Sequence, residues 1–301
     1  MGTPSFGVPI LEALIKEYDV IGVVTQPDKE VGRKKEVVAS PVKKCALAHG
    51  ISVFQPTKIR VDYQEIIDLE PDLIVTAAYG QIVGMKLLNA PKYRSINVHG
   101  SLLPKYRGGA PIQVAIKNGE AETGVTIMYM EKAMDAGDIL MQGAIPIEDD
   151  DTSGTMFEKL SYLGRDLLMK TIPLLVEGKI VPEKQDESKI TFAYNITPAE
   201  ESLDFNQSAR SVFNHIRAYN PAPIAHMMLE DLMIKVYASR VVDMSHQEKN
   251  GTILKATKTG FLVACGNNTV LEILEVQPSG KKVMRASDFA NGALRKYLKK
   301  E

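Results

Sequence analysis

Short apolar runs alternate with helix-like segments through the first half of the chain, and this alternation restricts the fold more than any other feature. Four runs have the length and continuity of buried strands, at residues 20–25, 51–54, 73–78 and 96–99. Ser40 and Pro41 open a segment that closes at Gly50, the order in which an N-cap, a first-turn proline and a C-terminal glycine delimit a helix. The pattern predicts an α/β fold with a Rossmann-like, mostly parallel sheet and helices on both faces.

The second half of the chain changes character. Two more strands are predicted at 123–129 and 140–145, and Thr155 with Glu158 predicts a capped helix that runs to about Glu177. The periodicity then fades through a charged, proline-containing stretch. Beyond it the sequence predicts a helix at 208–219 and a last helix that Ser287 caps. Between these helices lie β-rich runs at 234–242, 251–257, 261–265 and 270–276.

These changes divide the chain into three predicted parts. They are an α/β domain at 1–178, a linker at 179–202 and a smaller C-terminal domain at 203–301. Short strands separated by turn residues, as in the last part, are typical of small barrels. We therefore predict that the C-terminal domain is a small OB-type β-barrel.

Several classes of protein are excluded by what the sequence lacks. Cys45 and Cys265 are the only cysteines and lie far apart, so neither a disulfide framework nor a thiolate metal site is expected. The five histidines never occur at HxxxH or HExxH spacing, and the GxGxxG and Walker phosphate-loop patterns are absent. No apolar run approaches the roughly 18 residues of a membrane span. We predict a cytoplasmic protein with no metal and no membrane attachment.

Basic residues concentrate in two places. The net charge is −1, yet residues 201–301 hold 14 Lys and Arg against 10 Asp and Glu. The loop at Lys29–Glu36 contains Arg33, Lys34 and Lys35 in succession. Both features are compatible with an ordinary solvated surface, and both are also the electrostatic footprint that a polyanion would require.

The residues best suited to chemistry lie in the segment from 95 to 111 and in a later turn. Asn97 and His99 alternate at the end of a predicted strand, so they share a face at the carboxyl edge where open α/β sheets bind ligands. Asp135 lies in a glycine-containing turn that could return beside the histidine. Amide, imidazole and carboxylate together can polarise a carbonyl and move a proton. From the residues alone, an isolated Asn-x-His at a strand end is more often a structural hydrogen-bonding pair.

Asn97, His99, Asp135 and the segment Ser101–Pro104, together with Gly137, resemble the motif set of the folate-dependent formyltransferases. The resemblance is strongest to the branch that acts on methionyl-tRNA. It extends over nearly the whole chain, at Gly2–Pro4, Thr25–Asp28, Gly32–Arg33, Arg107–Pro111, Thr123–Met128, Asn220–Pro221 and Gly280–Lys282.

The resemblance implies transfer of a formyl group from 10-formyltetrahydrofolate to the α-amino group of methionine on initiator tRNA, for translation initiation. It implies catalytic roles for Asn97, His99 and Asp135. It implies a folate site at Ser101, Leu102, Leu103, Pro104 and Gly137, and tRNA contacts at Arg33, Lys34 and Lys35. It makes residues 1–178 the catalytic domain and the C-terminal barrel a tRNA-binding domain, with no obligate protein partner.

Two other functions remain open on the sequence. One is formyl transfer to an amino-sugar nucleotide, since that branch shares Asn-x-His and the Ser-Leu-Leu-Pro segment. The other is a non-catalytic RNA-binding relative. The basic loop and basic C-terminal third favour a tRNA acceptor, and retention of Asn97, His99 and Asp135 favours an enzyme.

The chain departs from the family pattern in two places. The family has a β-strand before the Gly-Thr-Pro segment, whereas only Met1 precedes Gly2 here. A sheet without that strand is expected to have unpaired edges and to be less stable than one that contains it. Ala222 stands between Pro221 and Pro223 where the family usually has Trp. The smaller side chain removes a large aromatic surface, so we expect weaker docking between the domains or toward the substrate.

Overall fold

A computed structural model describes residues 1–31 and 36–292. The described chain divides into two compact units that interleave along the sequence. The first unit comprises Met1–Pro111, Glu122–Pro146 and Phe157–Tyr194, and the second comprises Ile112–Ala121, Ile147–Met156 and the chain from Asn195 onward. Residues 179–194, the first part of the predicted linker, therefore belong to the first unit. The domain boundaries drawn from the sequence stay a prediction.

The first unit contains short helices and short strands, with one long helix that begins in the second unit. Its helices are Gly7–Glu17, Pro41–Ala48, Gln64–Ile67, Met85–Leu88, Ser153–Val176 and the 3-10 turn Glu187–Lys189. Its strands are Val23–Val24, Lys29–Val31, Glu36–Val38, Val53–Phe54, Ile74–Thr76, Ser95–His99, Glu122–Tyr129 and Ile139–Pro146.

Strand direction corrects the predicted sheet in part. Val23–Val24 pairs in parallel with Val53–Phe54, and Ile74–Thr76 pairs in parallel with Ser95–His99. The next two pairings, from Ser95–His99 to Glu122–Tyr129 and on to Ile139–Pro146, are antiparallel. The first unit is a mixed α/β structure with a parallel, Rossmann-like part. The predicted mostly parallel sheet was wrong for the strands after Ser95–His99, since apolar runs give strand position and carry no information on direction.

The parallel part is divided into two sheets with a cavity between them. The backbone N–H of Gly2 donates to Val24, and Ala77 donates to the carbonyl of Met1, each at 2.9 Å. Past these contacts a cavity of about 730 Å³ opens, lined mainly by apolar side chains, among them Val23 and Ile74. The two strands that face it, Val23–Val24 and Ile74–Thr76, belong to different sheets.

Helix starts follow the sequence signals in one case and shift in two. The helix predicted from Ser40 is confirmed as Pro41–Ala48, and the Ser40 hydroxyl accepts a hydrogen bond from the Lys43 N–H at 3.1 Å. The long helix begins at Ser153, so Thr155 lies in the first turn of this helix. The N–H of Thr155 donates to the Thr152 hydroxyl. Ser287 likewise lies inside the helix Ala286–Asn291. The residue that caps a helix depends on where the preceding chain enters, which a local motif does not specify.

The second unit is built around one antiparallel sheet. Its helices are Pro111–Lys117, Ala209–Ala218, Ala286–Asn291 and the 3-10 turn Pro198–Glu201. Its strands are His226–Leu229, Leu232–Ser245, Ile253–Ala256, Phe261–Cys265, Thr269–Pro278 and Met284–Arg285.

The two longest strands of this sheet, Leu232–Ser245 and Thr269–Pro278, pair along most of their length with register shifts near Ala238 and after Val242. Such irregularities bend and twist a strand, and this sheet forms an antiparallel half-barrel. All five residues of Phe261–Cys265 are buried. The four predicted strand runs of this region are confirmed, and the OB-type closure stays a prediction.

Within residues 1–31 and 36–292, every helix is too short or too polar to cross a membrane.

Candidate active site

His99 occupies the carboxyl end of the strand Ser95–His99 and is only 5% exposed. Its Nε2 lies 3.0 Å from the carbonyl oxygen of Tyr106. Because a carbonyl can only accept, Nε2 carries a proton, and Nδ1 is the nitrogen left for chemistry when the ring is neutral. Nδ1 lies 3.8 Å from Oδ2 of Asp135, which confirms the predicted return of the carboxylate toward the histidine.

Asp135 is fixed by its backbone as well as by its carboxylate. It has a φ of 48°, in the left-handed region that few non-glycine residues adopt. Its Oδ2 accepts a hydrogen bond from the backbone N–H of Gly108 at 2.8 Å, and its side chain is 18% exposed. The carboxylate is therefore mostly enclosed, and one oxygen is oriented toward both Gly108 and the imidazole.

Gln185 holds the turn that carries Asp135. Its Nε2 donates to the carbonyl oxygens of Asp135 and Gly137, each at 2.8 Å. Its Oε1 accepts from the Arg107 guanidinium at 2.7 and 3.0 Å. Arg107 is itself buried. No local pattern marked Gln185, because a single glutamine in a segment predicted to be a linker carries no motif.

Gly137 is required by a close approach of two backbones. A Cβ at this position would lie 1.9 Å from the carbonyl oxygen of Tyr129, at the end of the strand Glu122–Tyr129. The turn from Met134 to Asp138 is thereby packed directly against that strand. This contact explains the glycine without a ligand, and its predicted role in folate binding stays a prediction.

Asn97 lies two residues before His99 on the same strand, and the two side chains share a face. The Thr76 hydroxyl donates to Asn97 Oδ1 at 2.6 Å. With its oxygen held in this way, the amide presents its NH2 group as a donor. Thr76 belongs to a strand that the apolar pattern predicted, but its orienting role could be found only from the parallel pairing of the two strands.

The segment Ser101–Pro104 is shaped by side chains from neighbouring strands. The Thr126 hydroxyl donates to the Ser101 carbonyl at 2.7 Å and accepts the Leu103 N–H at 3.1 Å. Gln142 donates from Nε2 to the Leu103 carbonyl at 2.8 Å. Ser101 is buried and its hydroxyl donates to the Lys105 carbonyl, whereas Leu102 and Pro104 are partly exposed. The segment is a preformed loop whose exposed part is not the serine hydroxyl.

The basic loop is flanked by two short strands that the sequence did not predict. Lys29–Val31 and Glu36–Val38 pair antiparallel, while Arg33, Lys34 and Lys35 lie outside the described residues. At the base of this hairpin the Asp28 carboxylate accepts hydrogen bonds from Lys43 at 2.6 Å and Gln55 at 2.8 Å. The hydrogen bonds from Lys43 and then Gln55 lower the pKa of Asp28. Asp28 is thus a charged anchor for the hairpin.

The first unit brings an amide, a buried imidazole and an enclosed carboxylate to the carboxyl edge of one strand. An amide, an imidazole and a carboxylate placed in this way can polarise a carbonyl and move a proton. Residues 1–172 match the formyl transferase family, and residues 195–294 match the formyl transferase C-terminal domain. The chain belongs to the formyl transferase family and is a formyltransferase.

Two relatives that are more than half identical to this chain are methionyl-tRNA formyltransferases. The chain is 52% identical over 296 residues to a methionyl-tRNA formyltransferase of Bacillus cytotoxicus, covering 97% of this chain and 94% of that protein. It is 53% identical over 302 residues to a methionyl-tRNA formyltransferase of Lactiplantibacillus plantarum, covering 99% and 95%.

The fold is similar to that of an N-formyltransferase from Helicobacter canadensis solved in complex with folinic acid and dTDP-3-aminofucose. The TM-score is 0.70 at 20% identity, covering 91% of this chain and 97% of that one. At this identity the likeness is one of fold.

Proposed function

We propose that this chain transfers the formyl group of 10-formyltetrahydrofolate to the α-amino group of methionyl initiator tRNA, in the cytoplasm, for translation initiation. The observation that carries the proposal is the convergence of Asn97, His99 and Asp135 in a chain that is more than half identical to proteins of that name. The donor is a co-substrate, and the acceptor is the amine at the end of the aminoacyl-tRNA.

The reaction forms one carbon–nitrogen bond and breaks another. The neutral amine attacks the formyl carbon, negative charge develops on the formyl oxygen, and the amine nitrogen becomes positive. The bond from the formyl carbon to N10 of the folate then breaks, the amine loses a proton, and N10 gains one. The site must therefore supply a donor to the oxygen and a path for the proton.

Each member of the triad has a role that fits its contacts. Asn97, held at its oxygen by Thr76, donates from its NH2 group to the developing oxyanion. His99, fixed by Tyr106 at Nε2, uses Nδ1 to relay a proton and, when protonated, to stabilise the oxyanion. Asp135 orients the imidazole through its approach to Nδ1 and accepts the amine proton through a water molecule.

The donor is proposed to bind against the loop Ser101–Pro104 and the turn at Gly137. The backbone of this loop is fixed by Thr126 and Gln142, so it is pre-organised for a ligand. The partly exposed Leu102 and Pro104 supply apolar surface for the donor, with Leu103 and Ser101 packed beneath.

The acceptor is proposed to contact Arg33, Lys34 and Lys35 and the second unit. Arginine suits a bidentate contact to a base or phosphate, and lysine suits a phosphate.

The test compares acceptors under the same donor. We expect formyl transfer from 10-formyltetrahydrofolate to methionyl initiator tRNA, and transfer to an amino-sugar nucleotide at least a hundredfold less efficient. Asp135→Asn keeps an oxygen for the Gly108 N–H and removes the charge, so it should abolish most turnover in a folded protein. Faster transfer to the sugar nucleotide would establish the alternative acceptor. Binding of tRNA without any folate-dependent turnover would identify a non-catalytic relative.

A further inference from the structure

Two aromatic side chains form an exposed stack that the triad does not use. The rings of Phe192 and Tyr194 are parallel within 2°, with centroids 5.4 Å apart. Phe192 is 48% exposed and Tyr194 is 66% exposed. At this exposure a large part of each ring faces solvent, so a further planar group can cover it by stacking.

The stack stands on a rigid, extended segment. Phe192 and Tyr194 are two residues apart and share one side of the chain, while Ala193 between them is 1% exposed. Ala193 donates to the Arg107 carbonyl at 2.8 Å and accepts from the Ala110 N–H at 3.0 Å. A Cβ on Gly108 would lie 2.5 Å from the Ala193 carbonyl oxygen, so the two backbones touch at this point.

The residues that hold the stack also hold the triad. Tyr106 accepts the His99 hydrogen bond through its carbonyl, and its own N–H donates to the Thr191 hydroxyl at 2.9 Å. Gly108 donates to Asp135 and contacts the backbone of Ala193. One short segment, Tyr106–Ala110, thus fixes both the reacting groups and the aromatic stack.

We propose that Phe192 and Tyr194 form a stacking platform for the terminal adenine of the aminoacyl-tRNA. The proposal rests on the proposed function and deepens it. The methionine is esterified to the ribose of that adenosine, so one ribose and one ester separate the base from the aminoacyl carbon whose amine must reach Asn97, His99 and Asp135. Aromatic faces hold unpaired bases by stacking and need no contact to base edges.

The geometry gives the platform a specific task. The end of an aminoacyl-tRNA is single-stranded, and its bases are free to stack on a protein surface. A base held on the stack restricts the ester and the amine to a small volume near the site, which lowers the entropy cost of the attack. The platform therefore positions the acceptor and makes no contact with the formyl group.

The test combines kinetics with a spectroscopic signal from the base itself. The variants are Phe192→Ala, Tyr194→Ala and the double variant, with Phe192→Tyr as a variant that retains the ring. Val181→Ala is the matched control, because Val181 is an 89% exposed apolar side chain of the same unit. Initiator methionyl-tRNA with 2-aminopurine in place of the terminal adenine reports stacking by fluorescence quenching.

We expect the double variant to lower kcat/KM for methionyl-tRNA by roughly 5- to 150-fold, with the KM for 10-formyltetrahydrofolate unchanged. The parent, Phe192→Tyr and Val181→Ala should quench 2-aminopurine on binding, and the double variant should not. Quenching that persists in a folded double variant overturns the platform, as does a loss confined to the folate KM. If the parent quenches the probe yet transfers no formyl group, the proposed function fails and the platform stands.

Discussion

The two units of this chain build their sheets in opposite ways. In the first unit the parallel strands are two to five residues long and belong to two sheets on either side of a cavity. In the second unit a single antiparallel sheet includes strands of 14 and 10 residues and a fully buried strand at Phe261–Cys265. The core of the second unit is therefore built on longer strands in a single sheet than the parallel part of the first unit.

The contrast separates stability from chemistry. Asn97 and His99 lie on Ser95–His99, the strand at which the first unit changes from parallel to antiparallel pairing, and Asp135 approaches the His99 ring. Short strands that end at one edge leave polar side chains free for a ligand, and open α/β sheets bind ligands at such edges. The second unit instead uses its strand interiors for core packing. The less continuous unit holds the candidate site at Asn97, His99 and Asp135.

The largest expected effect tests where the core energy lies. Phe261→Ala removes a fully buried ring from the second unit and should lower the free energy of unfolding by about 3 to 5 kcal/mol. Phe54→Ala removes a partly exposed ring that already lines the cavity, and should cost about 1 to 2 kcal/mol. Denaturant unfolding followed by circular dichroism measures both. Equal losses from the two variants would remove the contrast between the units.

The catalytic substitutions should act on turnover with little effect on folding. Asn97→Ala, His99→Ala and Asp135→Ala should each lower turnover at saturating substrate by about a hundredfold or more, equivalent to about 2.7 kcal/mol. The matched control is Asp186→Ala, which removes an exposed carboxylate of the same unit. A folded His99→Ala variant with near-parent turnover would refute the assignment. Double variants should lose less than the product of the single losses, since the groups act as a unit.

The acceptor contacts should show an intermediate effect. Arg33→Lys preserves the charge and loses the planar fork, so formylation efficiency for initiator methionyl-tRNA should fall by about tenfold, within the roughly 1 to 3 kcal/mol of a bidentate base contact. Lys34→Ala and Lys35→Ala should mainly weaken binding and reduce its salt slope by about one each. Steady-state kinetics over a salt series, with elongator tRNA as control, separates these roles. Unchanged efficiency and discrimination in Arg33→Lys would leave the loop an ordinary solvated turn.

The smallest expected effect concerns pH and the second unit. Burial, followed by the charge of Lys117, lowers the pKa of His215 from 6.5 to about 4. Between about pH 4 and 6.5 the unfolded chain therefore binds more protons than the folded one. The contribution of His215 to the free energy of unfolding is full above about pH 6.5 and is lost as the pH drops toward 4. Because the ring is only partly buried, the loss should be about 1 kcal/mol.

His215→Gln should flatten this part of the stability profile, whereas His49→Gln, at an exposed position in the first unit, should not. Unfolding midpoints in denaturant at pH 4.5, 5.5 and 7 provide the measurement. A parent profile that is level from pH 7 to 4.5 would contradict the expected titration.

The sequence predicted the positions of most strands and singled out Asn97, His99 and Asp135 as candidates for the reacting residues. The apolar run at 96–99 became Ser95–His99, and the run at 261–265 became Phe261–Cys265 without change. Buried strands are marked by local apolarity, which is a property of the sequence itself. Asn97, His99 and Asp135 were identified by the family resemblance, and the structure brings Asp135 to the histidine ring.

What the sequence could not predict depends on pairings between distant residues. Thr76 orients Asn97, and Gln185 holds the turn of Asp135, yet neither residue belongs to a local pattern. Each acts through a hydrogen bond to a residue that only the folded chain brings near. The direction of Glu122–Tyr129 is of the same kind, because strand polarity is decided by the path of the connection.

The divided sheet also gives the two units different responses to hydrostatic pressure. Pressure favours states of smaller total volume, and unfolding that eliminates internal voids is promoted by it. The cavity of about 730 Å³ lies wholly within the first unit, between Val23–Val24 and Ile74–Thr76. The part of this cavity that is closed to solvent should therefore make the first unit more sensitive to compression than the second.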